Sequence, residues 1–222
     1  MTMIKNELDA HTAKIVARLG ADAAAILFDG QIGQARTVVN GALDKGQKAP
    51  SFELPDADGN LIALGSRLKS GPVVVTFYRG GWCPYCNIAL RALQSRLLEI
   101  KRLGGSLIAI SPELPDQSLS TREKLALGFD VLSDHENVVA RQFGLVYRVS
   151  DAARQRLLEL GRDLVESNGS TTWELPITAT YVVNSNGFVV FAHIDADYRE
   201  SLDPALIVEA LRSNASSIHE GR

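Results

Sequence analysis

The chain has 222 residues, a length that suits one domain of ordinary size or one domain with an appendage. Hydrophobic residues make up 45% of the chain and charged residues 22%, a balance that is typical of globular proteins and unlike disordered or collagen-like sequences. The net charge of -3 argues against a nucleic-acid partner, and the longest apolar run, residues 23–28, is too short to span a membrane.

The N-terminal part of the chain is predicted to be helical. Residues 4–19 and 21–44 carry helical spacing, with Gly30 and Gly33 as weak points, and the pattern changes to short extended segments near residue 46. The first residues lack the apolar block and cleavage site of a secretion signal. We therefore predict a helical extension over residues 1–45, a core domain over residues 46–222 and a cytoplasmic location.

The core domain alternates predicted strands with predicted helices. The strands are expected over 73–78, 106–110, 131–132, 179–183 and 188–192, and the helices over 84–103, 117–127, 137–143 and 204–211. Such alternation favours an α/β sandwich. The segment 150–164 has helical spacing but no place in this alternation, so we interpret it as a helical insertion near residues 149–170.

The two cysteines of the chain, Cys83 and Cys86, lie three positions apart where a predicted strand meets a predicted helix. Two cysteines are too few for the disulfide framework of a small secreted domain or for a four-ligand zinc site. A helix that begins at Pro84 places Cys83 at its N-terminus, where the helix dipole stabilises a thiolate. We predict that Cys83 is an attacking thiol and that Cys86, one turn further along, is the resolving thiol.

Other polar residues around this pair give weaker signals. Arg79 adds a positive charge four residues before Cys83, although a solvated loop arginine is an equal interpretation. His193, Asp195 and Asp197 alternate along a predicted strand, but turn-forming aspartates at a solvated strand end explain them better than a metal does. We predict no metal site.

Four segments resemble the peroxiredoxin-like branch of the thioredoxin-fold superfamily, which is related to alkyl hydroperoxide reductase and thiol-specific antioxidant proteins. The resemblance covers about residues 46–211. The segments are Gln47-Lys48-Ala49-Pro50-Ser51-Phe52-Glu53-Leu54 followed by Gly59, residues 78–86 with the dithiol, Leu132-Ser133-Asp134 with Arg141 and Phe143-Gly144, and Ala179-Thr180-Tyr181-Val182-Val183 with Gly187.

This resemblance implies a thioredoxin-like three-layer α/β sandwich with a central mixed sheet. It also implies a thiol peroxidase, in which Cys83 attacks a hydroperoxide and becomes a sulfenic acid and Cys86 condenses with it to a disulfide. A thioredoxin-like or glutathione-based donor would then reduce the disulfide. The resemblance implies no metal and no organic cofactor.

The chain departs from the family pattern at three positions. The proline and the peroxide-binding threonine that precede the attacking cysteine of peroxiredoxins correspond here to Thr76 and Gly80. The peroxiredoxin arginine and the thioredoxin cis-proline both correspond to Thr178. We therefore name Arg79, Trp82 and Thr178 as candidates that support the substrate or the thiolate.

The departures keep other functions open. The Cys-Pro-Tyr-Cys spacing is also typical of glutaredoxins, so a thiol-disulfide oxidoreductase acting on protein or glutathione disulfides is the alternative. A third hypothesis is a redox sensor whose dithiol switches the docking of the N-terminal helices, which also offer a homodimer interface. Arg141 is a further candidate for the missing guanidinium, although an exposed helix position suits it better.

Overall fold

A five-stranded mixed sheet lies at the centre of the protein. The computed structural model describes residues 3–220. In chain order its elements are α1 (Met3–Leu19), α2 (Ala21–Val38), β1 (Glu53–Pro55), β2 (Leu61–Ala63), α3 (Leu64–Leu68), β3 (Val73–Phe77), α4 (Pro84–Arg102), β4 (Ser106–Ser111), α5 (Pro115–Lys124), β5 (Asp130–Ser133), α6 (Val138–Gln142), β6 (Val146–Arg148), α7 (Asp151–Glu159), α8 (Leu164–Asn168), β7 (Glu174–Pro176), β8 (Thr178–Val183), β9 (Val189–Asp195) and α9 (Pro204–Glu220).

The central sheet has the strand order β5-β4-β3-β8-β9. Strands β3, β4 and β5 are parallel, whereas β8 runs antiparallel to β3 and β9 runs antiparallel to β8. All five residues of β3 are buried, so both faces of the sheet are covered by other parts of the chain. The predicted α/β sandwich with a central mixed sheet is confirmed.

The loop 78–83 connects the middle strand, β3, to the long helix α4. Leu90, Leu93, Leu97 and Ile100 recur at helical spacing along α4, and all four are buried. Because β3 and β4 are parallel, the loop lies at the edge of the sheet where their carboxyl ends meet. This is the edge at which α/β folds generally build their binding sites.

The N-terminal extension packs against the rest of the protein. Helix α1 packs on α2 and α4, and α2 packs on α7. Helix α2 continues through Gly30 and Gly33 but ends at Val38, where a short 3-10 turn follows, so the predicted helix to residue 44 is too long. A β-carbon at Gly30 would lie 2.7 Å from the Ser150 hydroxyl that caps α7, so glycine permits this close helix contact.

The segment with helical spacing, 150–164, contains α7 and ends where α8 begins, at Leu164. It is flanked by β6 and β7, which pair antiparallel to each other and were not predicted. These strands could not be predicted because three residues are too few to show the two-residue alternation of a strand. In addition, Pro176 in β7 is typical of turns. None of the helices within residues 3–220 has both the length and the apolarity needed to cross a lipid bilayer.

Candidate active site

Cys83 caps the N-terminus of α4. Its backbone is extended, with φ -90° and ψ 111°, and Pro84 begins the helix. The Cys83 N–H donates to the Gly80 carbonyl over 3.1 Å, and the Asn87 side-chain amide donates to the Gly81 carbonyl over 2.9 Å. These bonds fix the loop so that the Cys83 sulfur lies at the positive end of a 19-residue helix.

The two thiols have opposite pKa shifts. Burial raises the pKa of Cys83, but the hydrogen bond from the Cys86 thiol, the charge of Arg79 and the backbone N–H groups of Tyr85 and Cys86 outweigh burial and lower the pKa to about 6. Burial and the adjacent Cys83 sulfur raise the pKa of Cys86 well above its usual value. At neutral pH the pair therefore consists of one thiolate and one thiol.

The Arg79 side chain is buried beside this thiolate, with 2% of its surface exposed. Its Nη1 lies 3.7 Å from the Cys83 sulfur, and its Nη2 donates to Oε1 of Gln31. The guanidinium carbon lies 3.7 Å from the centre of the Tyr198 ring and 4.9 Å from that of Trp82. The interpretation of Arg79 as a solvated loop residue is wrong.

Arg141 and Thr178 are placed away from this guanidinium. Arg141 is exposed and forms an ion pair of 2.8 Å with Glu174, so the guanidinium at the thiol is that of Arg79. The Thr178 hydroxyl donates to the Asp195 carbonyl over 3.2 Å. Thr178 lines a small cavity of about 50 Å³ that also contacts Cys86, and it is not among the residues that line the cavity over Cys83.

A cavity of about 190 Å³ opens over Cys83. Its walls combine the dithiol loop with the N-terminal helices and α7, which together cover the sulfur. The apolar side chains from these helices are Ile15, Leu27, Phe28 and Leu157. A cavity of this volume admits a small molecule, whereas a folded polypeptide is too large for it.

Glu113 is a buried carboxyl on the other side of the loop, with 2% exposure. It accepts a hydrogen bond of 2.8 Å from the Gly81 N–H. Burial raises the pKa of Glu113 to about 7, although the backbone N–H groups of Gly81 and Trp82 lower it. The negative charge of Cys83 adds to the increase. The carboxyl is therefore about half protonated at neutral pH, close to a thiolate that repels a second negative charge.

Gly80 occupies the position of the family's peroxide-binding threonine. Its φ is 144°, a value that side-chain-bearing residues rarely adopt. A β-carbon there would overlap the Trp82 indole and lie 3.0 Å from the Glu113 carboxyl carbon. The threonine is therefore excluded by the backbone conformation and by the packing of Trp82.

We predict that Gly80→Ala lowers the free energy of unfolding by about 3 kcal/mol, the sum of backbone strain and overpacking. Gly59→Ala is the matched control, since Gly59 has a φ of 86° but open space around a β-carbon. We expect this control to cost about 1 kcal/mol. Urea unfolding of both variants measures the difference, and equal costs would show that the contact with Trp82 contributes nothing.

Sequence reasoning missed Gln31, Glu113 and Tyr198 as parts of the site. A signal exists for Gln31, which interrupts the apolar stripe of α2 with an amide. Glu113 lies two residues after the end of β4, at the sheet edge that also carries the dithiol loop. Nothing in the local sequence around Tyr198 distinguishes it.

Comparison with curated proteins gives relatives that are named peroxiredoxins. Peroxiredoxin Bcp of Escherichia coli K12 is 34% identical over 103 residues, which are 46% of this chain and 65% of that protein. The chloroplastic peroxiredoxin Q of Oryza sativa subsp. japonica is 30% identical over 156 residues, 70% of this chain and 61% of the relative. The chain thus covers less than two thirds of the length of each of these relatives.

Solved structures share the fold. Peroxidoxin BcpB from Mycobacterium tuberculosis matches with a TM-score of 0.61 and 23% identity, over 77% of this chain and 97% of that structure. Enterococcus faecalis AhpC matches with a TM-score of 0.62 and 16% identity, over 82% and 97% of the two chains. At these identities the likeness establishes the thioredoxin-like fold.

A family model matches the part of the chain that contains the dithiol loop. It is the model of the AhpC/TSA family, and it matches residues 45–192, more than half of the chain. The protein belongs to the AhpC/TSA family.

Proposed function

We propose that the protein is a thiol-dependent peroxidase that reduces hydrogen peroxide or organic hydroperoxides at Cys83. The observation that carries this proposal is the buried Arg79 guanidinium, 3.7 Å from the Cys83 sulfur. Among residues 4–215, whose side chains are described, no carboxylate forms an ion pair with Arg79, so the Cys83 thiolate is the counter-charge that its burial requires. A stabilised thiolate in a cavity of small-molecule size is the arrangement that peroxide reduction needs.

The proposed reaction has two steps on the protein. The Cys83 thiolate attacks one peroxide oxygen, so that an S–O bond forms as the O–O bond breaks, and the other oxygen leaves with a proton as alcohol or water. Cys83 is thereby oxidised by two electrons to a sulfenic acid. The Cys86 sulfur, after losing its proton, then attacks the Cys83 sulfur, and the hydroxyl group leaves as water when the disulfide forms.

Two buried N–H groups support the binding of the peroxide. Nε of Arg79 and Nε1 of Trp82 have no hydrogen-bond partner within the part of the chain that the structure describes. Both residues line the cavity over Cys83. We infer that these donors take the place of the threonine hydroxyl that Gly80 lacks.

The thiol-disulfide oxidoreductase is the second candidate. The dithiol spacing and the opposite pKa shifts of Cys83 and Cys86 favour it. However, Cys83 is 1% exposed beneath α1, α2 and α7, so a protein disulfide reaches its sulfur only if these helices move. We therefore place the peroxidase first, and the redox sensor depends on the same helix movement.

The remaining parts of the assignment are also proposals. Two thiols are needed to reduce the Cys83–Cys86 disulfide, and we propose a thioredoxin-like or glutathione-based donor. The division at residues 45 and 46, the insertion near 149–170 and the cytoplasmic location stay predictions. So does a homodimer through the N-terminal helices, for which the exposed apolar side chains of Val16 and Ile26 are the support.

The proposal is tested by mixing the reduced protein with hydrogen peroxide in a stopped-flow instrument and following the tryptophan fluorescence, to which Trp82 beside Cys83 contributes. Because the thiolate reacts, the second-order rate constant should rise with pH, with a midpoint at about 6, and stay constant above it. On the plateau we expect a rate about a thousandfold above that of free cysteine. A plateau rate no higher than that of free cysteine would instead favour disulfide exchange, and a rise only near about pH 8.5, as for an ordinary thiol, would show that the Cys83 thiolate is not stabilised.

A further inference from the structure

A buried glutamine of the N-terminal extension contacts the arginine of the site. Gln31 lies on α2, outside residues 45–192 that the family model matches, and it is 1% exposed. Its Oε1 accepts a hydrogen bond from Nη2 of Arg79. Its Nε2 donates to the Leu27 carbonyl over 2.7 Å and lies 3.5 Å from the Tyr198 hydroxyl. The amide is therefore bonded at both ends, which fixes its oxygen against the guanidinium.

Packing alone does not explain this residue. The buried face of α2 is otherwise apolar, with Leu27, Phe28, Ile32 and Ala35. An amide in such a position costs free energy unless its polar atoms are bonded. Among the residues whose side chains the structure describes, Nη2 of Arg79 is the one hydrogen-bond donor to the Gln31 side-chain oxygen, so this oxygen orients the guanidinium.

Because the side chain of Gln31 is an amide and not a carboxylate, the positive charge of Arg79 is not cancelled beside Cys83. A glutamate at this place would orient the guanidinium equally well but would cancel its positive charge, whereas an amide oxygen orients it and stays neutral. The titratable groups that act most strongly on Arg79 are Cys83, Cys86, Tyr147 and Tyr198, from the dithiol loop, α4, β6 and the segment after β9. The cavity over Cys83 is also lined by His11 and Arg18 from α1 and by Arg162, none of which is a carboxylate. Among residues 4–215, whose side chains the structure describes, no carboxylate pairs with the guanidinium, so no negative side chain cancels its charge beside the sulfur.

We propose that Gln31 is a positioning residue of the thiol site, which holds Nη2 of Arg79 so that Nη1 points at the Cys83 sulfur while the charge of the guanidinium stays uncancelled. The N-terminal extension thus completes the site from outside the matched family region. Only the kinetic part of the test below rests on the proposed peroxidase function.

The experiment compares three variants in a Cys86→Ser background, in which Cys83 is the one remaining thiol and the serine hydroxyl still donates to it. Gln31→Met removes the acceptor at similar length, and Gln31→Glu keeps an acceptor but adds a negative charge. Gln34→Glu is the matched control, because Gln34 is exposed on the same helix. Thiolate absorbance at 240 nm gives the pKa of Cys83, and stopped-flow mixing gives its rate constant with hydrogen peroxide.

We expect Gln31→Glu to raise the pKa of Cys83 above that of the Cys86→Ser parent by about 1 or more, and Gln31→Met to raise it by less. At pH 6.5 the rate constants should fall in the same order, with Gln34→Glu unchanged. The proposal is overturned if the pKa is unchanged in both Gln31 variants while thermal unfolding shows them folded, or if Gln34→Glu shifts it equally. Should Gln31→Met fail to fold, Gln31→Glu decides alone. A shifted pKa in a protein that never reduces peroxide would uphold the positioning role and reject the peroxidase.

Discussion

Replacing Cys83 with serine is expected to abolish peroxide consumption, a loss of about a thousandfold or more, since a hydroxyl at neutral pH is a far weaker nucleophile than a thiolate. Cys86→Ser should instead retain the first step. Because the Cys86 thiol has a raised pKa and is not the attacking group, this variant should consume one equivalent of peroxide and then stop. Peroxide remaining after mixing with a known amount of reduced protein measures both outcomes.

The products distinguish the two steps directly. Mass spectrometry should find a Cys83–Cys86 disulfide in the oxidised native protein and a sulfenic acid on Cys83 in Cys86→Ser, trapped with a small carbon nucleophile such as dimedone. A Cys83→Ser protein that still consumes peroxide at the native rate would reject the assigned nucleophile. Full turnover by Cys86→Ser with a thiol donor would reject Cys86 as the resolving residue.

Arg79→Met is expected to have the second largest effect. Methionine fills a similar length of buried space but removes the positive charge and both donated hydrogen bonds. We expect the pKa of Cys83 to rise from about 6 to about 7 or higher. The second-order rate constant with peroxide should fall roughly a hundredfold even on the alkaline plateau, because a donor to the peroxide oxygen is also lost.

Arg79→Lys is the control for this prediction. Lysine keeps the charge but lacks the planar fork that bonds Gln31 and Cys83 together and stacks on Tyr198. It should therefore preserve most of the lowered pKa of Cys83 and still lose rate. If Arg79→Met leaves both the pKa and the plateau rate at native values, the guanidinium has a structural role only.

Local sequence patterns predicted the dithiol and its supporting helix well. The strand that leads into the loop, Pro84 at the start of α4 and the stripe of Leu90 to Ile100 all lie in one continuous stretch, and the structure places them as expected. Helix propensity and helical spacing act over a few residues, so they are readable without knowledge of the fold. The same holds for the β8–β9 hairpin.

The environment of the thiolate was not predictable in the same way. Gln31 and Arg79 are 48 positions apart, and only the packing of α2 against the core brings their side chains together. Arg79 itself follows a strand in a glycine-rich loop, a context that usually implies solvent exposure. Its burial depends on Tyr198, from a segment more than a hundred positions away, which supplies the aromatic face beneath the guanidinium.

The cavity over Cys83 combines a thiolate of lowered pKa with restricted access to its sulfur. A lowered pKa ordinarily makes a thiolate a general target for electrophiles, including bulky alkylating agents and cellular aldehydes. Here the helices α1, α2 and α7 limit access to a space of about 190 Å³, and the sulfur is 1% exposed. The covering helices thus exclude electrophiles that are too large for the cavity, whereas the dithiol loop and Arg79 keep Cys83 reactive. Selectivity by size and reactivity come from different parts of the chain.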